Sequence, residues 1–287
     1  MQEFEKLQEA EFFCRKAIEL NPNFANAHSN LGNILVKLDK LKEAEFSYCN
    51  AIKLNPDFAA ANYNLGNVLG ALGKFKEAEF SYRKAIQLNP GYANAYSNLG
   101  TILSKLGKLQ EAESYTRKAI KLNPDFEIAH SNLGTILRDL GKLQEAEFYY
   151  LKAIKLNPDL AIAYFSLSTL QISNKNKIWR EKLFSKDFLN NKSKKEKVNI
   201  FFAIGNVLHS ESNYKESSKY LLLANNLELN LNPTNCGDLL NRSKELILES
   251  NNEVINNNEH SNIPESIFIV GMPRSGSTLL ESILSMN

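Results

Sequence analysis

The sequence predicts an all-α solenoid of stacked helical hairpins, followed at its C-terminus by a short strand-loop-helix of a different class. Three observations predict it. The tripeptide Leu-Asn-Pro recurs with its proline at Pro22, Pro56, Pro90, Pro124 and Pro158, an unbroken period of 34 residues. Leucine-glycine pairs return in register at Leu31-Gly32, Leu65-Gly66, Leu99-Gly100 and Leu133-Gly134. Alanine returns twice per period, at Ala44, Ala78, Ala112 and Ala146 and again at Ala51, Ala85, Ala119 and Ala153. A fixed period of this length marks supersecondary units that each bury an apolar face on the next.

Taken in order, residues 1–24 supply only the second helix of a repeat, on which Ala10 and Ala17 fit the two alanine positions. A trimmed N-terminus is the expectation. Four full repeats follow at 25–58, 59–92, 93–126 and 127–160, with a half repeat at 161–172 that completes a solenoid over 1–172. Apolar residues at intervals of three, four and seven describe two amphipathic helices in each. The small residues are expected where the two helices touch, the repeat glycine facing the first alanine, so that the axes approach to the lower end of ~8 to 10 Å. The first helix should stop at Gly73, Gly107 or Gly141, where glycine tolerates a left-handed cap, and the second before each Asn-Pro pair.

Residues 173–250 read as a helical extension. Within it a degenerate repeat at about 198–230 keeps Gly205, Leu208, Glu216, Ser217 and Ala224 in register but has no proline. Residues 175–197 hold nine Lys or Arg against three Asp or Glu. With only Trp179 and Phe184 as stacking groups, the run reads as a solvated helical face and not as a nucleic-acid surface. Residues 251–265 are polar and Asn-rich, the composition of a linker. Residues 266–270 then read as a short buried strand, 271–278 as a glycine loop, and 278–286 as a helix with Leu279, Leu280, Ile283 and Leu284 on its apolar side. This is a layout that gathers backbone N–H groups at one anion site.

Bulk properties narrow the function classes. A net charge of +2 over 287 residues gives no field for nucleic acid or an anionic membrane. No apolar run reaches the ~18 to 20 residues of a membrane span, and the N-terminus lacks a signal-peptide layout, so a cytoplasmic location is expected. Cys14, Cys49 and Cys236 have neither disulfide nor zinc spacing and read as packing residues. His28 and His130 likewise read as packing residues, and no metal site is expected.

The period, with its leucine, glycine, alanine and proline positions over about 1–172, resembles the tetratricopeptide repeat. That resemblance implies a groove lined by the first helices. There, Asn30, Asn64, Asn98 and Asn132 recur at one repeat position, flanked by Asn33 and Asn67 and then Thr101 and Thr135. A carboxamide offers two donors and an acceptor to an extended peptide backbone, whatever its side chains. The pattern resembles the asparagine ladder in the repeat domain of O-GlcNAc transferase, which holds substrate polypeptides. Asparagine is also common in this chain as plain filler. A chaperone carboxylate clamp would need lysine where Ser29, Tyr63, Ser97 and Ser131 stand, so it is disfavoured.

The loop at 271–278 nearly matches the ATP-binding pattern Gly-x4-Gly-Lys-Ser/Thr, but Ser277 stands in place of the lysine. The run from Pro273 to Thr278 instead resembles the 5′-phosphosulfate loop of sulfotransferases, and 267–284 looks like bacterial proteins that join tetratricopeptide repeats to a sulfotransferase domain. By that resemblance Arg274 would contact the 5′-phosphate of 3′-phosphoadenosine 5′-phosphosulfate, with Ser275, Gly276, Ser277 and Thr278 supplying further donors. It also implies an intact parent that sulfates a polypeptide or sugar hydroxyl. The family's base and 3′-phosphate residues lie downstream of this loop. The expectation is therefore a start of that domain with no catalytic residue, inactive by itself and without tight binding of the co-substrate. An interaction scaffold with a vestigial C-terminus is the competing reading.

Overall fold

The computed structural model describes residues 2–170 and 178–231, which are predominantly helical, with no strand among them. They belong to two compact units, Met1–Ser166 and Leu167–Asn287, each taken by itself below. The strand-loop-helix expected over 266–287 lies outside the described residues.

In the first unit, a lone helix α1 (Gln2–Leu20) precedes four hairpins. These are α2 (Ala25–Lys37) with α3 (Leu41–Leu54), α4 (Ala59–Ala71) with α5 (Phe75–Leu88), α6 (Ala93–Lys105) with α7 (Leu109–Leu122), and α8 (Glu127–Asp139) with α9 (Leu143–Leu156). Helix α10 (Ala161–Ser168) begins in this unit and continues past its last residue, Ser166. α2, α4, α6 and α8 each pack on their own second helix and on the second helix before it, so the repeats stack along the chain. That stacking is the all-α solenoid the period predicts.

Local chemistry sets the helix ends. A residue before proline is excluded from the α region, so α3, α5, α7 and α9 stop ahead of Asn55, Asn89, Asn123 and Asn157. Each asparagine then folds its Oδ1 back to accept the N–H two residues on, at 3.2 Å in Asn55, 3.1 Å in Asn89, 3.3 Å in Asn123 and 3.0 Å in Asn157. The recurring Asn-Pro is thus a stop followed by an Asx turn. At the other turn, Gly73, Gly107 and Gly141 take φ 76° just past their first helices, the left-handed cap that glycine tolerates.

The small residues do mark the helix contact, and an aromatic ring enters it that the glycine-alanine pairing alone did not foretell. A Cβ on Gly32, Gly66 or Gly134 would lie 2.7 Å from the ring of Tyr48, Tyr82 or Tyr150, sixteen residues on. The glycine makes room for a tyrosine. The alanines at 44, 78, 112 and 146 are fully buried, and at Gly100, opposite Thr116, the added Cβ would lie 3.1 Å from the Ala112 carbonyl. The physical reason is direction: a helical side chain leans toward the N-terminus, so the tyrosine one turn after the alanine covers the glycine.

In the second unit, helix α11 (Ile178–Leu183) and a 3-10 turn (Lys186–Leu189) lead to α12 (Lys194–Ser210) and α13 (Tyr214–Leu231), which pack as a hairpin. Ser193 and Glu196 form a capping box at the start of α12. Gly205 faces Leu221, again sixteen residues on, and the Ser217 hydroxyl donates to the Gly205 carbonyl at 2.8 Å. Trp179 is buried, which removes it as a stacking group for a nucleic acid.

Candidate functional site

Successive first helices, α2 with α4, α4 with α6 and α6 with α8, touch one another more closely than successive second helices do. The layer of first helices is therefore the inner, shorter side of the stack. Its surface carries the asparagine positions: Asn30, Asn33 and Asn67 are exposed, and Asn64, Asn98 and Asn132 are half-buried.

These side chains are organised by bonds between repeats. The Nδ2 of Asn64 donates to Asn33 Oδ1 at 3.0 Å, and the Tyr48 hydroxyl donates to the same oxygen at 2.7 Å. One repeat later the unit recurs, with Asn98 Nδ2 donating to Asn67 Oδ1 at 2.8 Å and Tyr82 donating to it at 2.7 Å. Burial pushes the Tyr48 hydroxyl up to about 12 and Tyr82 further still, so both remain donors at neutral pH. An oxygen that accepts twice fixes which way its carboxamide points. Asn33 and Asn67 consequently turn their two Nδ2 hydrogens away from these bonds, while Asn64 and Asn98 keep a carbonyl oxygen.

The unit then changes. Thr116 replaces the tyrosine in the third repeat and bonds its own helix at Ala112, while Asn132 donates to Ser97 Oγ at 3.1 Å. Tyr150 donates to Thr135 at 3.1 Å in the fourth. Asn98 also donates to the Tyr63 hydroxyl at 3.2 Å, and Tyr63 packs 4.7 Å from Tyr92, giving the middle of the surface an aromatic wall. Between α2 and α4 lies a hollow of about 440 Å³, lined by Asn33, Val36, Tyr48, Asn64, Asn67 and Val68. It has an apolar floor, a carboxamide rim and room for one side chain.

Sequence reasoning picked out the asparagines and missed the tyrosines that orient them. The signal was present in the recurrence of Tyr48, Tyr82 and Tyr150 in the same 34-residue register. The clamp positions hold buried Ser29, Ser97 and Ser131 and half-buried Tyr63, so this surface has no lysine row there. His28 and His130 each donate Nε2–H to the carbonyl of the turn proline before them, Pro22 at 3.0 Å and Pro124 at 2.8 Å. Tyr164, in the same register, makes the same bond to Pro158 at 2.9 Å. A tyrosine that substitutes for the histidine marks the position as a turn staple. Among the described residues no cluster of three or more His, Cys, Asp or Glu side chains could hold a metal. The loop residues Arg274, Ser275, Gly276, Ser277 and Thr278 lie outside the described residues.

Comparison with known families decides the class. Profiles described as tetratricopeptide repeat match residues 13–46, 59–92, 93–126 and 128–160, and one described as TPR repeat matches 32–73, together more than half of the chain. The chain is a tetratricopeptide repeat protein. Among solved structures, MamA is similar at 25% identity and a TM-score of 0.51, covering 56% of this chain and 94% of its own. YrrB, described as a TPR protein with an unusual peptide-binding site, is 25% identical with a TM-score of 0.50, covering 69% of this chain and 97% of its own. MamA from Desulfovibrio magneticus RS-1 is 22% identical with a TM-score of 0.50, covering 54% and 87%, a likeness of fold alone. No curated protein matches the chain.

Proposed function

We propose that the first unit is a protein-binding module that holds an extended polypeptide along the inner face of its first helices, reading backbone in preference to side chains. The observation that carries this is the pair of repeated units Asn33–Tyr48–Asn64 and Asn67–Tyr82–Asn98, in which two doubly bonded Oδ1 atoms hold the remaining amide groups in fixed orientations. Donors held in place before binding need not be ordered when the peptide arrives, which favours capture of a flexible chain. The description of YrrB as having a peptide-binding site supports the reading. Replacing Asn64 and Asn98 together by alanine should weaken capture of an unstructured, uncharged peptide by at least about fivefold, since each lost hydrogen bond is worth about 0.5 to 1.5 kcal/mol. Fluorescence anisotropy checks this, and unchanged affinity would retire the asparagine reading.

The finer part of the proposal is that the groove presents a hydroxyl-bearing polypeptide or glycan to a sulfuryl-transfer domain that begins at 271–278. The motif supports it: Arg274 before Ser-Gly-Ser-Thr, with no lysine at 277. In this reading Arg274 and the donors of Ser275, Gly276, Ser277 and Thr278 receive a 5′-phosphosulfate. A loop alone supplies neither an in-line nucleophile nor a base, and chemistry of this kind needs both. The loop by itself offers contacts to the 5′-phosphate and none to the 3′-phosphate, so calorimetry of the 287-residue chain with 3′-phosphoadenosine 5′-phosphate should register no tight binding, and a submicromolar constant would contradict that. A cytoplasmic setting belongs to the same proposal, with Cys14 and Cys49 as free thiols.

A further inference from the structure

The outer face carries a second periodic feature. Phe12, Phe46, Phe80 and Phe148 occupy one position of the second helices α1, α3, α5 and α9, each 34 residues from the next except where Ser114 fills the place on α7. They are two positions past the buried alanine, where nothing in the hairpin requires an apolar group. All four are open to water, at 56%, 68%, 73% and 61% exposure. Four rings in one register leave roughly 500 Å² of apolar surface uncovered, taking a phenylalanine as ~200 Å². The three on successive second helices, Phe12, Phe46 and Phe80, make up about 400 Å² of it, the size of the largest apolar patch on an ordinary monomer.

Holes accompany the knobs. Beside Phe46 a hollow of about 500 Å³ is floored by Ile18, Leu31 and Leu35, and beside Phe80 an equivalent hollow of about 440 Å³ is floored by Leu65 and Leu69 with Cys49 on its wall. Ring and hollow thus alternate at the same period on the same face. Four lysines of the face are paired across it. Lys40 bonds Glu11 at 2.8 Å, Lys74 bonds Glu45 at 2.7 Å, Lys108 bonds Glu79 at 2.9 Å and Lys142 bonds Glu113 at 2.9 Å.

We infer that this face pairs with the same face of a second copy of the chain, phenylalanines of each seated in hollows of the other. A surface bearing both knob and hole at one repeat distance is complementary to itself about a two-fold axis. Charge favours the same occupant, because the hollows are rimmed by both signs, Arg15, Lys42 and Lys76 with Glu19, Glu43 and Glu77, so a second copy turned about a two-fold axis can set opposite charges against one another. Area agrees too: the rings supply well over half of the ~800 Å² per partner that a stable interface buries, and their rims can supply the remainder. The inner face stays open, so the pair presents two grooves.

Ser114 provides the test. Phe46→Ser and Phe80→Ser install the residue that the third repeat already carries, so the hairpin tolerates them. Sedimentation of the full chain over a range of concentrations should reveal a reversible monomer–dimer equilibrium. The double variant should weaken it by at least about tenfold, as loss of aromatic anchors does, and Ser114→Phe should tighten it, with thermal melts of all three unchanged. A chain that is monomeric at every soluble concentration would overturn the inference. So would a double variant that dimerises as well as the parent, or rings shielded by residues 232–287 of the same chain.

Discussion

Asp39 stands at the hairpin turn that glycine occupies in the next three repeats, and it holds the same left-handed backbone, φ 60° against 76° at Gly73. A side chain there costs about 1 to 2 kcal/mol, somewhat less for aspartate than for most residues. Asp39→Gly should therefore raise the melting temperature. Gly66→Ala should lower it, although alanine is the better helix former: its methyl would sit 2.7 Å from the Tyr82 ring, and overpacking of this kind costs about 1 to 3 kcal/mol. One melting series checks both, and a stabilised Gly66→Ala would mean the ring moves aside freely. These residues also measure what the sequence could convey. The glycine stop was legible from spacing because a single backbone angle requires it. The glycine-tyrosine contact was not, since it depends on how side chains lean between two helices. The same limit applied at Asn33 and Asn67, whose recurrence was plain and whose bonds to Tyr48 and Tyr82 were hidden.

At the scale of the helices, neighbouring repeats are tied by the lysine-glutamate rungs and by Arg15, Arg83 and Arg117, each of which bonds a glutamate of its own helix and one of the next second helix. Lys40, together with Arg15, holds Glu11 below the usual carboxylate value of 4.5. Burial alone would raise Glu79 and Glu113, but Lys108 with Arg83 and Lys142 with Arg117 outweigh it, and both end below 4.5. A carboxylate depressed in the folded state contributes stability that is fully present above its unfolded pKa and disappears as pH falls through the folded one. The melting temperature should thus hold down to about pH 4.5 and decline below it. Glu79→Gln with Glu113→Gln should flatten that decline, which melts in a pH series would record. An equally steep acid limb in the double variant would place the acid sensitivity elsewhere. Cys49 replaces the arginine of this register, so the rung at Glu45 rests on Lys74 alone.

For the whole molecule, the 34-residue period made the all-α solenoid legible because each repeat buries its core on its neighbours, and the sequence must repeat wherever that packing repeats. The exposed phenylalanines escape that logic. Burial does not require them, so only their exposure in the folded chain gives their spacing meaning. Taken together, the first unit has an inner face of oriented carboxamides and an outer face of apolar knobs on one rigid frame. Its central claim is that polypeptide binds the inner face. The most direct measurement is nuclear magnetic resonance of the asparagine side-chain amides while an unstructured peptide is added. Shifts should concentrate in the Nδ2 groups of Asn33, Asn64, Asn67 and Asn98 while the backbone amides of Phe46 and Phe80, followed in the same spectra, stay unmoved; shifts that instead gather on the outer face and leave those side-chain amides unchanged would overturn the reading.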